Sequence, residues 1–441
     1  MEQKIYAKEM QALLQLEQEQ GVQLPLSEIT DTLWDKVNCG TTEFANRFVL
    51  QPMEGCDGTK EGSPDELTKA RYQHFAKSGA GLVWLEAVAI VAEGRANPRQ
   101  LYLTEKNVDE FKRLVDNMKE TSIKEHGFEV KVIMQATHSG RYSKPNGYPE
   151  PIIAYNNPLF EKEHPIDKSR IISDDDLKRL EACYGVSARL TEKAGFDGVD
   201  IKCCHRYLNS ELLSAYTRSG AYGGSFENRT RLLRNGIAQA KGATGSHFIV
   251  TSRLNVYDGF PYPYGFGVNE GNGLSPCLDE AKKLVRLLRD DYGVGLLNIS
   301  IGNPYVNPHV NRPFNQGPYV PEESPLIGVE RMMHCVGEIQ KSVSDMVIVG
   351  SAFSYLKELS PYLAAGAVKE GICTMVGFGR EAFAYPYFVR DLRAKGYLDK
   401  KQCCIACGKC TEMMRMGQVA GCVIRSPYYT ELYKKAKEAA K

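Results

Sequence analysis

No stretch of about 18 apolar residues occurs in the 441-residue chain, so a helix crossing a membrane is not expected. An excess of one charge is missing too: 55 basic residues face 54 acidic ones, a formal +1. That balance supplies no electrostatic footprint for nucleic acid or for an anionic membrane. The opening MEQKIYAKEMQALLQLEQEQG is polar, acidic and helical in pattern, and lacks the basic-then-apolar layout of a secretory leader. A cytoplasmic location is expected. No G-x-G-x-x-G follows a strand-like run, which argues against an internal dinucleotide-binding fold. With 43% hydrophobic and 25% charged residues, the chain also lacks the bias of disordered or fibrous proteins.

What the chain does contain is cysteine, thirteen in all and unevenly placed. Five fall between Cys403 and Cys422, and the other eight scatter over the preceding 400 residues. In a cytoplasmic protein such residues serve as thiols, metal ligands or catalytic groups rather than disulfides. The shift in composition divides the chain into three: an N-terminal helical extension over 1–40, a main domain over 41–398, and a cysteine-rich segment with a C-terminal helix over 399–441.

The main domain alternates. Eight short runs rich in β-branched residues read as buried parallel strands: 48–53, 82–90, 130–137, 198–204, 247–256, 295–302, 347–352 and 373–380. Helical patterns separate them. The clearest runs from Ser173 to Ala194, opened by a Ser173/Asp176 capping box and followed by Gly195. Eight strands alternating with helices predict an α/β fold, a (β/α)8 TIM barrel with a short cysteine-rich segment after it. A doubly wound parallel sheet has the same periodicity and is the alternative. Three long connections, 139–172, 257–276 and 303–324, follow strands and carry many aromatics. Those rings either pin the loops to the barrel rim or line a pocket for a flat ligand.

Three groups of residues carry chemistry. Cys404-x-x-Cys407-x-x-Cys410, with Cys422 further on, has the spacing of four thiolates around a [4Fe-4S] cluster. A structural zinc site is the competing reading. Cys403 falls outside that register. Gly377-Phe378-Gly379-Arg380 and Gly350-Ser351-Ala352 end two consecutive strands, where barrels hold phosphate. Lys202, His205 and Tyr207 cluster at the end of the fourth strand. Lys202 and His205 suit polarisation of a carbonyl oxygen, and the Tyr207 phenol suits proton delivery. The turn Gly223–Arg229 reads as structural.

The sequence resembles the old yellow enzyme family of NADH:flavin oxidoreductases. Within it, the resemblance is to the iron–sulfur branch that includes 2,4-dienoyl-CoA reductase and trimethylamine dehydrogenase. It rests on Gln51-Pro52-Met53, Glu86-Ala87, Gln135, His138-x-Gly140-Arg141, His205-x-Tyr207-Leu208, Tyr222–Thr230, Arg253, Gly379-Arg380 and the cysteine run. It implies a barrel holding FMN, with Pro52, Met53 and Ala87 along the ring system and Gln135 at its pyrimidine edge. Arg253 would face N1 and O2; Gly350, Ser351, Gly379 and Arg380 would hold the phosphate. Lys202 and His205 would grip the substrate carbonyl, and Tyr207 would supply the proton.

Two positions depart from the family. Lys202 stands where histidine or asparagine is usual, and brings a charge that favours a carboxylate, a phenolate or a strongly polarised carbonyl. Glu54 replaces a small residue beneath the flavin, and an inward-pointing acid there would lower its potential. The implied activity is NAD(P)H-dependent reduction of the C=C bond of a bulky planar enone, of flavonoid, steroid, bile-pigment or cinnamoyl type. An amine or alcohol dehydrogenase, and an electron-transfer subunit, are the alternatives. Electrons would come directly from NADH or NADPH, or through the cluster from a separate donor protein. A homo-oligomer is compatible with all three.

Overall fold

Val, Ile, Leu and Met crowd the eight expected strand runs, and in the computed structural model of the chain each run contains a strand. The structure describes residues 2–270, 275–315, 317 and 319–439, with side chains from Lys8 onward. Part of the expected 257–276 and 303–324 loops, and both chain ends, lie outside the described residues. An antiparallel hairpin, β1 (Val37–Cys39) and β2 (Thr42–Phe44), comes first. The barrel strands follow: β3 (Phe48–Leu50), β4 (Leu82–Ala89), β5 (Lys131–Thr137), β6 (Gly198–Ile201), β7 (Ile249–Asn255), β8 (Leu296–Ser300), β9 (Val347–Gly350) and β10 (Met375–Phe378). All pair in parallel in chain order, and β10 closes on β3. Closure decides between the two expected architectures in favour of the (β/α)8 barrel.

Two apolar cores result. The larger lies between the barrel wall and the helices. The smaller fills the barrel's N-terminal half with Val49, Leu82, Trp84, Ile133, Ile249, Leu296, Val347 and Met375. Val37 and Phe44 of the hairpin belong to this inner core and plug that end of the barrel. The barrel interior is therefore sealed from below by apolar side chains, and such barrels build their active sites at the C-terminal face.

The expected helix is observed as Asp174–Lys193, with Ser173 as N-cap accepting from the Asp176 N–H at 3.0 Å. The Ser173 hydroxyl also donates to the Asp176 carboxyl at 2.6 Å. Such a cap contributes about 1 kcal/mol. Gly195 follows with φ +81, a left-handed geometry that an L side chain adopts only under strain. Among the described residues, no helix is long and apolar enough to cross a membrane.

Candidate active site

The strands deliver their next residues to one cavity at the C-terminal face. Its volume is about 1020 Å³. Pro52, Met53 and Glu54 follow β3; Gln135 lies on β5 and Arg253 on β7; Lys202, His205 and Tyr207 follow β6; Ser351 follows β9; Gly379 and Arg380 follow β10. All of these line the cavity. Two expected residues do not: Ala87 is buried in the wall, its carbonyl accepting from Gln100 at 3.2 Å. Gly350 packs towards Cys373 and Phe353.

Gln51 organises one side of the cavity. Its amide exchanges hydrogen bonds with Asn298 at 3.1 and 2.7 Å and donates to Ser351 Oγ at 3.0 Å. Gly377 must be glycine here, because a Cβ would sit 2.0 Å from Gln51 Nε2. Ala352, next to Ser351, takes a left-handed φ of +77 and turns the chain at this corner. Inside the barrel, Asp200 ties the site together. It accepts from Trp84 Nε1 at 2.9 Å, Gln135 Nε2 at 2.7 Å and the Arg253 N–H at 2.6 Å.

The residues after β6 are held tightly. His205 and Arg206 both adopt left-handed φ, +63 and +60. Non-glycine residues hold such angles only where their surroundings over-determine them. Arg206 supplies that constraint from full burial. Its guanidinium donates to Asp258 at 2.8 Å, to Tyr155 Oη at 3.0 Å and to Ser214 Oγ. The chain thereby turns His205 and Tyr207 into the cavity on either side of a buried ion pair. Sequence reasoning passed over Arg206, because an arginine in a loop reads as surface. The fixed spacing between His205 and Tyr207 was the available signal.

Burial governs protonation here. His205 is pushed well below the usual imidazole range by desolvation, then by the nearby charges of Arg253 and Lys202. It is a neutral hydrogen-bonding group near neutral pH. Tyr207 is pushed well above the usual phenol range by burial and by Glu54, so it keeps its proton. Its hydroxyl donates to Glu54 Oε1 at 3.1 Å and lies 2.8 Å from the Tyr305 hydroxyl. Tyr305 stacks on Tyr142 with ring centroids 3.8 Å apart. Glu54 and Lys202, the two departures from the family pattern, prove to be partners: Lys202 Nζ is 3.7 Å from Glu54 Oε1. The ammonium also sits 3.7 Å over the centre of the Tyr207 ring.

The aromatic loops divide between the two roles expected for them. Tyr142 and Tyr305 line the cavity. Phe160 and Phe260 pack edge to face at 4.9 Å, and Arg141 and Arg206 lie over Phe160, which pins the loops to the rim. The turn Gly223–Arg229 is structural as expected: Ser225 caps the short helix after it, and Arg229 bonds Glu280.

His138, from the same stretch as Arg141, is buried and has its imidazole pushed down to about 4 by desolvation. Its Nδ1 accepts from the Gly140 N–H at 3.0 Å. As pH falls below the ordinary value of 6.5, the unfolded chain binds this proton and the folded one does not until about 4. Stability from His138 is therefore present above about pH 6.5 and lost towards pH 4. His138→Gln is expected to flatten the loss of melting temperature between about pH 7 and about pH 5. Equal slopes in parent and variant would remove His138 as the cause.

The donor set fits FMN. Arg253 is buried, and its Nε has no hydrogen-bond partner among the described residues. The Arg253 side chain lines the cavity, and a buried guanidinium there calls for polar partners. Arg380, which lines the cavity with Ser351 and Gly379, makes no ion pair among the described residues. One end of the cavity thus suits a phosphate and the middle a polar ring system.

A model of the NADH:flavin oxidoreductase / NADH oxidase family matches residues 32–266. The chain belongs to that family. Its relatives include an NADPH dehydrogenase of Halalkalibacterium halodurans, 29% identical over 58% of this chain and 69% of that one. A cinnamate reductase of Clostridium sporogenes is 25% identical over 85% of this chain and 54% of its own length. Among solved structures, a 2-naphthoyl-CoA reductase complex superposes with a TM-score of 0.73 at 20% identity, over 92% of this chain and 58% of that one. The chain thus spans a little over half the length of the latter two proteins. The family accounts for the flavin expected from the sequence motifs, and the structural likeness agrees with the barrel.

Beyond the family match, the cysteine segment forms a second hollow. Cys404, Cys407, Cys410 and Cys422 line it together with Cys403 and Arg380. Cys403 is fully buried, and its thiol donates to the Asp399 carbonyl at 3.4 Å. Cys404 Sγ instead accepts from the Ala406 N–H at 3.4 Å. Among the described residues, no three metal-ligating side chains converge as closely as a single ion requires. The same segment closes the main cavity, to which Thr411, Met414, Arg415, Met416 and Gly417 contribute. Arg312 Nη1 donates to Thr411 Oγ1 at 2.5 Å, and Arg415 to the Pro304 carbonyl at 3.2 Å.

Proposed function

We propose that the protein is an FMN-dependent ene-reductase that uses NAD(P)H to reduce the C=C bond of an α,β-unsaturated carbonyl compound. The observation that carries this reading is one cavity wall holding a neutral imidazole, a cation and a protonated phenol: His205, Lys202 and Tyr207. When bound, reduced FMN would supply the hydride. Pro52, Met53, Gln135, Arg253, Ser351, Gly379 and Arg380 would hold it. His205 and Lys202 stabilise the developing enolate oxygen. Tyr207 gives its proton to the α-carbon, and the Tyr305 hydroxyl at 2.8 Å is placed to restore it. The stacked pair Tyr142 and Tyr305 offers a flat face to a planar substrate, which supports an aromatic enone of the cinnamoyl kind.

The four cysteines Cys404, Cys407, Cys410 and Cys422 are read as ligands of a [4Fe-4S] cluster. A cubane needs thiols spaced around a body of several atoms, whereas zinc needs them on one point. All four line one hollow, and their spacing in the sequence supports the former. The cysteine module is taken to begin near residue 399 and the barrel domain to run from 41 to 398.

The test is an anaerobic absorbance spectrum of the purified protein with iron, zinc and sulfide assays, before and after NADH. Flavin bands that bleach with NADH or NADPH and return on adding an aromatic enone are expected. Flavin that reoxidises with no enone, but is reduced by amines or alcohols, would replace the ene-reductase reading with the dehydrogenase one.

A further inference from the structure

Lys202 is the least expected group in the cavity. Its side chain is only 3% exposed, yet it lines the cavity. Its one ionic partner, Glu54 Oε1, lies at 3.7 Å, beyond hydrogen-bond distance. The ammonium therefore faces the cavity with the Tyr207 ring on one side and no acceptor at bonding distance among the described residues. Burial pushes its pKa down and the Glu54 carboxylate pushes it back up, so an anion in the cavity favours the charged form. Glu54 is the more accessible member, 12% exposed, and sits on the loop after β3 with its side chain in the cavity. It is placed to turn aside.

The rest of the lining points the same way. The chain as a whole is nearly neutral, with a formal net charge of +1. The cavity is not. Lys60, Arg99, Lys144, Arg312 and Arg415 line it besides the two arginines assigned to FMN, against Glu54 and Asp65 as its acids. Arg312 and Arg415 have no acidic partner among the described residues. A cavity with a strong excess of one sign in a neutral chain concentrates ligands of the other sign.

We infer that Lys202 is the binding site for a carboxylate on the substrate, and that Glu54 is its built-in counter-anion, displaced when that carboxylate arrives. The inference rests on the ene-reductase reading and narrows its substrate to an unsaturated acid taken as the free anion. The chemistry explains why a lysine is needed. Hydride added to the β-carbon of an unsaturated carboxylate sends the π pair towards a carboxylate that is already anionic. Two neutral donors stabilise that second charge poorly, and an ammonium does so directly. The Tyr207 proton then goes to the α-carbon; the C=C bond is reduced by two electrons and the flavin oxidised by two. Loss of Glu54 from Lys202 also frees the Tyr207 hydroxyl, which donates to Glu54 Oε1.

The experiment titrates FMN-loaded protein with benzoate and with benzamide, two ligands of one shape that differ in charge, and reads the shift of the visible flavin bands. The parent is expected to bind benzoate at least about tenfold more tightly than benzamide. K202M is expected to abolish the preference. E54Q is expected to tighten benzoate about tenfold, the internal competitor being gone, and to leave benzamide unchanged. A preference that survives K202M, or benzoate binding unchanged or weakened in E54Q, overturns the inference. The double variant E54Q/K202M strands neither charge of this pair, and equal binding of the two ligands is expected. Cinnamate and methyl cinnamate as reoxidants of the reduced protein separate the two levels of reading. Turnover of the ester without the acid overturns the carboxylate site and keeps ene-reduction. The benzoate pattern without turnover of either overturns ene-reduction and keeps the anion site.

Discussion

Tyr207→Phe is expected to slow enone-dependent reoxidation of the reduced protein by about two to four orders of magnitude, the range of a positioned general acid. Reduction of the bound flavin by NADH or NADPH is expected to proceed at the parent rate, because that half-reaction needs no proton from Tyr207. The ring, which carries the Lys202 ammonium at 3.7 Å, is retained in phenylalanine, so the substitution removes only the hydroxyl. That hydroxyl is well suited to its task. Burial and Glu54 keep it protonated at any physiological pH, and Tyr305 at 2.8 Å connects it to a second phenol. Stopped-flow absorbance separates the two half-reactions. Equal slowing of both would assign Tyr207 to flavin binding instead, and no slowing of either would take it out of the chemistry.

Arg206→Met is expected to cost about 3–5 kcal/mol of stability, the range found when one partner of a buried ion pair is removed. Asp258 is 1% exposed and would lose its cation. It would keep the N–H groups of Phe266 at 2.9 Å and Asn255 Nδ2 at 2.6 Å. The same substitution also frees the left-handed turn that presents His205 and Tyr207. Enone turnover is therefore expected to fall even at temperatures where the variant stays folded. Pairing it with Asp258→Asn removes the stranded charge and is expected to restore much of the stability without restoring turnover. Chemical denaturation and single-turnover rates measured on both variants check the separation. Recovery of turnover along with stability would reduce Arg206 to a structural role.

The barrel was legible because its signals are local. Eight β-branched runs, the Ser173 capping box and Gly195 each act through neighbouring backbone groups, and each is observed where the sequence places it. The chemistry at the strand ends was legible for a related reason. A barrel sends every strand's C-terminal residue to one face, so Lys202, His205, Tyr207, Arg253 and Arg380 share a cavity whatever the loops do. Gly350 missed that cavity by one position, since alternate residues of a strand face opposite ways and Ser351 is the one that lines it, whereas Ala87 sits just past a bulge in β4 and is covered there.

Sequence alone thus determined the count of barrel strands, the residues offered to the C-terminal face and the four-cysteine spacing. Tertiary structure decided which of those residues answer one another. Glu54 and Lys202 follow different strands, β3 and β6, and become an ion pair only when the barrel closes. Tyr142 and Tyr305 stack across two loops, Arg206 finds Asp258 across a third, and the segment Thr411–Gly417 returns from the far end of the chain to wall the cavity. Periodicity and capping are written in neighbouring residues because their energies are local. The partner of a buried charge is not, because it depends on which distant loop fills the space that remains once the strands have packed.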